Sequence, residues 1–393
     1  MKILFVADGR SAIALNWIGY FISKGWEVHL ASSFDCSPAM PLASLQIIPV
    51  AMSNIRFRGK AENLGGKALR WAPVNLRTSL RRWLGPLTLG KAARSLRQVI
   101  AQVRPDLVHA MRIPFEGMLA AQALWETTAP GLVVSVWGND FTLHAPSTPL
   151  MGNFTRRALQ RADALHTDCQ RDLVLARSWG FDSKKKAIVL PGAGGVQLDV
   201  FYPGESATDT IDQSPLFRVI NPRGVRAYVR NDTFFQAVSL IRQQHPQIRL
   251  ICPGMAGEPS IQHMVNELKI GDIAELLPSQ THPEMAELFR RCQAAVSPSE
   301  HDGTPNTLLE AMATGCFPIA GDIESIREWI EPGVNGLLFS PDNPHELATA
   351  LIRAIREPEL RRAAREHNLR LVMERAEHQK VMQRAESFYL SLI

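Results

Sequence analysis

The chain of 393 residues carries 43 Lys and Arg against 38 Asp and Glu, a formal net charge of +5, and is 46% hydrophobic and 21% charged. That balance is ordinary for a globular protein, and the length predicts two or three domains with cores of their own. No apolar run approaches the roughly 18–20 residues that cross a bilayer, and the stretch before Asp8 and Arg10 is too short for a signal-peptide core, so a cytoplasmic protein is expected. Cys36, Cys169, Cys252, Cys292 and Cys316 are odd in number and unclustered, and the histidines are scattered, which predicts no disulfide framework and no metal.

In chain order, Lys2 to Ala7 reads as a buried strand, Asp8-Gly9-Arg10 as a tight turn, and Ser11 as the cap of a helix with Ile13, Trp17, Ile18, Phe21 and Ile22 on its apolar stripe. Glu27 to Ser32 is the next strand. This is a βαβ opening, whose turn lies at the strand end where ligands of such sheets bind. From Ile55 to Arg104 the composition turns basic, with Arg56, Arg58, Lys60, Lys67, Arg70, Arg77, Arg81, Arg82, Lys91, Arg94, Arg97 and Arg104 against Glu62 alone. Trp71, Trp83, Leu76, Leu80 and Leu84 lie among them, the make-up of a surface resting on an anionic membrane. A solvated basic face, or a patch for a soluble acidic partner, has the same composition.

Strands are predicted at Asp106 to Ala110 and Leu132 to Trp137, and His109, Arg112 and Asp140 stand at or beyond their ends. His109 is either a buried strand-end histidine or a group facing a ligand. Asp140 either contacts a ligand hydroxyl or caps the segment that follows. Further strands at Ala164 to Asp168 and Lys186 to Leu190 lead to Pro191-Gly-Ala-Gly-Gly195, with no helix directly behind it, and so not a Walker-type loop. The polar stretch Ser206 to Pro215 reads as a linker. The alternation then restarts with strands at Phe217 to Asn221, Ile248 to Cys252, Ala274 to Leu277, Ala294 to Ser297, Phe317 to Ala320 and Gly336 to Phe339. Strands alternating with helices twice over predict an α/β protein of two doubly wound, parallel-sheet, Rossmann-like domains facing a cleft.

Residues 297–339 hold the densest set of constrained choices. A strand ending at Ser297 empties into a loop with Gly303 and Pro305, and a helix starts near Thr307 and stops at Gly315. Its free N–H groups would face an anion. Asp302 and Glu310 flank the helix start, placed to accept from sugar or ribose hydroxyls, with the amides of Asn306 and Thr307 between them for phosphate. The competing role for Glu310 is a capping box with Thr307.

This block resembles the donor-binding segment of the retaining glycosyltransferases of family four, which have the GT-B architecture. Leu309-Glu310-Ala311-Met312-Ala313, Glu328 and Gly333-Val334-Asn335-Gly336-Leu337-Leu338 carry the resemblance, with Asp302 where that family usually has Glu. The resemblance implies that Gly9, Gly303, Thr304, Asn306, Thr307 and Glu310 bind a nucleoside-diphosphate sugar. Asp302 would position the sugar, and His109, Arg112 and Asp140 would lie on the acceptor side. Arg223 matches the family's diphosphate-binding arginine, but Tyr228 stands at its lysine position, so Arg226 or Arg230 would supply the second cation. Met111 stands where many members have a histidine. The implied domains are 1–203, with a C-terminal helix of about 376–393 packing back on it, and 204–375.

The expected function is metal-independent retaining transfer of a hexose-like unit to a lipid-linked or cell-surface glycan acceptor, cytoplasmic or at the inner face of the membrane. No cofactor beyond the donor and no nucleic acid is implied. The alternatives are an inactive homologue acting as a scaffold, and a nucleotide-sugar epimerase or hydrolase.

Overall fold

The structure, a computed structural model, describes residues 1–51, 53, 81–204 and 214–393. The basic residues Arg56 to Arg77 with Trp71, Leu76 and Leu80, and most of the expected linker, lie outside the described residues. The chain divides into two compact units, Met1–Gly194 with Met382–Ile393, and Gly195–Val381.

The first unit is built on β1 (Lys2–Ala7), β2 (Glu27–Ser32), β3 (Ser44–Ile47), β4 (Leu107–Ala110), β5 (Gly131–Val136), β6 (Ala164–Thr167) and β7 (Lys186–Val189), in a seven-stranded sheet of order β3-β2-β1-β4-β5-β6-β7. Every pairing is parallel. The central strands are buried, as the continuous apolar run from Ile3 to Ala7 requires of a sheet covered on both faces. Helix α1 (Ala12–Ser23) follows β1 and is capped by Ser11, whose hydroxyl accepts from Ala14 N at 3.4 Å. The chain runs outward through β2 and β3, then returns to β4 on the other flank of β1. The sheet's switch point therefore lies between β1 and β4.

The second unit holds β8 (Phe217–Ile220), β9 (Ile248–Pro253), β10 (Ala274–Leu277), β11 (Ala294–Ser297), β12 (Phe317–Gly321) and β13 (Leu337–Phe339), in the order β10-β9-β8-β11-β12-β13, again all parallel. Its switch point lies between β8 and β11. Phe234, Phe235, Phe289, Phe317 and Phe339 are fully buried, each stabilising the fold by roughly 1.5–3 kcal/mol relative to exposure.

The boundary falls earlier than the expected 203/204. Val196 N donates to Ala376 O at 2.7 Å, His378 N donates to Val196 O at 2.9 Å, and the Phe201 ring packs on Phe289, so this connection belongs to the second unit. A side chain at Gly195 (φ +81°) would collide with Ala376 O, which explains the glycine there. The end of the chain is two helices, Pro358–Arg375 and His378–Leu390, broken where Ala376 and His378 turn their backbone groups to Val196. The last of these reaches the first unit, where Tyr389 stacks on Phe21 with ring centroids 5.0 Å apart.

Candidate functional site

At the switch point of the second sheet, the loops after β8 and β11 are laced together. Arg230 N donates to Pro298 O at 2.7 Å and Glu300 N to Tyr228 O at 3.0 Å. Behind them, Asn221 Oδ1 accepts from Arg223 N at 3.1 Å, Asn221 Nδ2 donates to Asn231 Oδ1 at 2.9 Å, and Asn231 Nδ2 donates to Gly224 O at 2.9 Å. The turn carrying Arg223 is thereby fixed, and the side chain points across to the β11 loop. Its Nη2 donates to Asp302 Oδ2 at 2.5 Å and its Nη1 to Thr307 Oγ1 at 3.2 Å. Its Nε is buried with no hydrogen-bond partner among the described residues. Asp302 is held in turn by Ser325 Oγ, which donates to its carbonyl at 2.7 Å.

The helix behind the loop is Asn306–Thr314, with Pro305 at the cap position, no side-chain cap, and Gly315 closing its far end at φ 90°. The first N–H groups, at Asn306 and Thr307, have no carbonyl within the helix to bond. The Asn306 Oδ1 is buried without a partner among the described residues. Glu310 lies one turn on from both, on the same face. Its carboxylate makes no hydrogen bond or ion pair among the described residues, so the capping box with Thr307 is corrected: the helix begins too early for Thr307 to cap it. Glu310 is half-buried, and that burial pushes its carboxyl up to about 7 against the pull of Arg223.

The structure thus brings together Arg223, Asp302, Asn306, Thr307 and Glu310. It does not join Arg230 to them. Arg230 is bound to Asp232 through Nε (2.9 Å) and Nη2 (2.8 Å) and to Glu300 through Nη1 (2.7 Å), so its charge is already matched and the expectation that it serves as the second cation is corrected. Arg226 is exposed. Gly303 is buried, its N–H turned to Asp302 Oδ1 at 3.2 Å, and Thr304 Oγ1 accepts from Trp329 Nε1 at 3.1 Å, so Thr304 anchors the loop to the core. No role is read from the sequence for Asn221, Asn231 or Ser325, although an asparagine directly after a strand is the signal that marks Asn221.

In the first unit the structure decides between the readings left open at two positions, in each case against the acceptor-side role. His109 is fully buried among Phe5, Trp17, His166 and Tyr389, with Nε2 on Ser135 Oγ at 2.7 Å and Nδ1 on Tyr389 Oη at 2.5 Å, so it faces no ligand. Asp140 is 1% exposed and takes Arg112 Nε at 3.0 Å, Trp137 N at 3.1 Å and Ile113 N at 3.3 Å, which makes it the anchor of its loop. Arg112 also reaches Asn139 Oδ1 at 2.8 Å. Gly9 N donates to Ser32 Oγ at 3.0 Å, and a Cβ there would run into Cys36 and Ser32, so close packing accounts for the glycine. Among the described residues, Asp168, Cys169 and Asp172 place potential metal-ligand atoms within 4.8 Å of one another. Arg171 Nη2 already neutralises Asp172 at 2.7 Å, and burial holds the Cys169 thiol protonated.

Two parallel Rossmann-like sheets, the second with an arginine, two acids and a helix start at its switch point, are the parts of a GT-B protein. Residues 12–192 match the family described as "Glycosyl transferase 4-like domain" and residues 223–370 match "Glycosyl transferases group 1". The chain belongs to these group 1, GT4-type glycosyl transferases. It is similar to the D-inositol 3-phosphate glycosyltransferases of Nocardiopsis dassonvillei (26% identical over 186 residues, 42% of this chain and 42% of that protein) and Mycobacterium tuberculosis (27% over 222 residues, 54% and 45%). The chain spans under half the length of these curated relatives. Among solved structures, it resembles a sucrose-phosphate synthase from Thermosynechococcus elongatus (TM-score 0.75, 17% identity, 100% and 99% of the two chains). It also resembles Anabaena HepE in complex with UDP-glucose (TM-score 0.74, 16% identity, 100% of both chains). At these identities the likeness shows the GT-B fold.

Proposed function

We propose that the chain is a retaining glycosyltransferase that moves a hexose-like unit from a nucleoside-diphosphate sugar to an acceptor carried by the first unit. The observation that carries this is the convergence of Arg223, Asp302, the start of the Asn306–Thr314 helix and the unpartnered Glu310. Family membership and the resemblance to a protein solved with UDP-glucose support it. Glu310 accepts from the ribose hydroxyls, the amides of Asn306 and Thr307 take diphosphate oxygens, and Asp302 turns to the sugar. As the bond from the anomeric carbon to the diphosphate oxygen breaks, its electron pair leaves on the diphosphate. Arg223 and the helix start stabilise that charge. The acceptor oxygen forms the new bond on the same face, and its proton passes to the departing diphosphate. No metal takes part in this scheme.

The acceptor is a lipid-linked or cell-surface glycan reached from the cytoplasmic face. Trp83, Leu84 and Leu87 are exposed beside exposed Lys91 and Arg94, which supports contact with an anionic membrane. No helix among the described residues is long and apolar enough to cross a membrane. Salt-sensitive co-sedimentation with anionic liposomes tests that contact, and its absence removes it.

The donor site is tested by thermal shift with a panel of nucleoside diphosphates and their sugars, with and without magnesium. Stabilisation by one base series, independent of magnesium and lost in Glu310→Ala, is the expected result. Silence across the panel would overturn the transferase and favour a scaffold.

A further inference from the structure

The first sheet has a switch point of its own, between β1 and β4, and arginines gather at its strand ends. Arg10 follows β1, Phe34 follows β2, Arg112 follows β4 and Trp137 follows β5, while Arg81 and Arg82 come from helical residues 81–84. The Arg10 guanidinium carbon stands 3.6 Å from the Phe34 ring centre and that of Arg81 stands 5.0 Å from the same ring and 4.9 Å from Phe115. Arg112 stands 5.4 Å from the Trp137 ring centre. A guanidinium held against a ring keeps an N–H edge for a planar or tetrahedral oxyanion.

The neighbouring acids do not balance these cations. Asp8 is engaged by Arg10 through two hydrogen bonds of 3.0 and 2.9 Å, and Asp140 by Arg112 and backbone amides. Glu116 is buried, accepts from Ser33 Oγ, and is pushed toward its neutral form by that burial. Arg81 and Arg82 make no ion pair among the described residues, and the Nε of each is buried without a hydrogen-bond partner. Half-buried His144 feels the result: burial first, then Arg112, Arg82 and Arg81, push it down to about 3. Burial, the larger cause, disfavours charge of either sign, whereas the share from the three arginines places their positive charge around one point, where it favours an anion.

We propose that this end of the first sheet binds a phosphate group carried by the acceptor, with Arg81 and Arg82, unpaired among the described residues, as its available cations and Arg10 and Arg112 as its oriented ones. The proposal rests on the glycosyltransferase reading above and narrows its acceptor to a phosphorylated one, either a soluble sugar phosphate or a phosphate-bearing lipid.

The test is calorimetry on the full chain with inorganic phosphate at constant ionic strength against chloride, then with a soluble hexose phosphate and with phosphatidylcholine vesicles with and without phosphatidic acid. Binding of phosphate beyond chloride is expected, weakened at least tenfold by Arg81→Gln, less by Arg81→Lys, and retained in Arg223→Ala. Melting of Arg81→Gln at or above the wild-type temperature shows that the loss is not unfolding. Tighter binding of the hexose phosphate than of inorganic phosphate assigns a soluble acceptor, and a response confined to phosphatidic acid and lost in Arg81→Gln assigns a lipid. No response beyond chloride on any arm, or one untouched by Arg81→Gln, or one abolished by Arg223→Ala, overturns the site. A nucleoside diphosphate titrated in parallel reports on the donor site alone: its failure sinks the transferase reading, whereas nucleotide binding without phosphate binding sinks only the acceptor site.

Discussion

Each unit buries a polar cluster, and the two are finished to different degrees. In the first, side chains from β4, β5 and β6 form a single chain of hydrogen bonds beneath α1 and the last helix. Trp17 Nε1 donates to Tyr389 Oη, Tyr389 to His109 Nδ1, His109 Nε2 to Ser135 Oγ, Ser135 to His166 Nδ1, and His166 Nε2 to Leu190 O. One direction of donation satisfies every group and fixes both imidazoles as neutral. In the second unit, Arg223 Nε, Asn306 Oδ1 and the Glu310 carboxyl have no partner among the described residues. A closed network holds a fold, because every desolvated group has recovered its hydrogen bond. An open one has valences waiting for a ligand.

The largest effect that would break this contrast is at Arg223. Arg223→Ala removes the cation set against the leaving diphosphate, and a loss of about 100- to 1,000-fold in kcat is expected, the scale of deleting one transition-state donor. The fold should survive, since the side chain's ion pair is with Asp302 in the same site. Steady-state kinetics with a melting curve checks it; normal kcat with a lowered Tm would make Arg223 a structural arginine and close the second network too.

The closed network should respond to acid and the open one should not lose stability with it. Burial takes His166 from 6.5 down to about 4 and His109 well below its ordinary value. Between those values the unfolded chain binds a proton that the folded imidazole refuses, so stability falls as pH drops from 6.5 to about 4, by about 3 kcal/mol for His166 alone. Urea unfolding followed across that range measures it. Tyr389→Phe breaks the chain in its middle, leaving His109 Nδ1 and Trp17 Nε1 unsatisfied, with an expected cost of about 1–3 kcal/mol and unchanged nucleotide affinity. Unchanged stability would mean that water replaces the hydroxyl.

Most strands of both sheets are legible in the sequence because they are buried on both faces and read as apolar runs. Edge strand β3 (Ser44–Ile47) is not, since its residues are half-buried or exposed and no alternation stands out. The helix near Thr307 follows from strand-end position and the stop at Gly315, one residue off its start at Asn306, whereas the joining of Arg223 to a donor site with Asp302 rests on the family resemblance. The engagement of Arg230 by Asp232 and Glu300 follows from neither, because Glu300 lies 70 residues away in the chain. Nor does the partnership of His109 with Tyr389, 280 residues apart. Local pattern shows which strand end a residue occupies, while packing of distant segments decides whether its polar atoms remain available.

Glu310 gives the smallest effect and the sharpest sign. Its carboxyl is raised from 4.5 to about 7, so across that window the folded protein holds a proton that the unfolded chain has released. Its contribution therefore declines as pH rises from 4.5 to about 7, opposite to His166. Glu310→Gln should then stabilise the second unit at pH ~8 by about 1–2 kcal/mol, a figure already reduced for the partial exposure of the group, and change little at pH ~4. The same substitution should weaken nucleoside-diphosphate binding about tenfold, since a charge-assisted hydrogen bond to ribose is lost. Ribose selects the carboxylate, so wild-type binding should release a proton and tighten from pH ~6 to ~8, which calorimetry in buffers of different ionisation enthalpy detects. A variant that is less stable yet binds nucleotide as before would place Glu310 with His109 among the groups that hold the fold. A variant both more stable and unable to bind would mean that the desolvated carboxylate is kept for the ligand at the expense of stability.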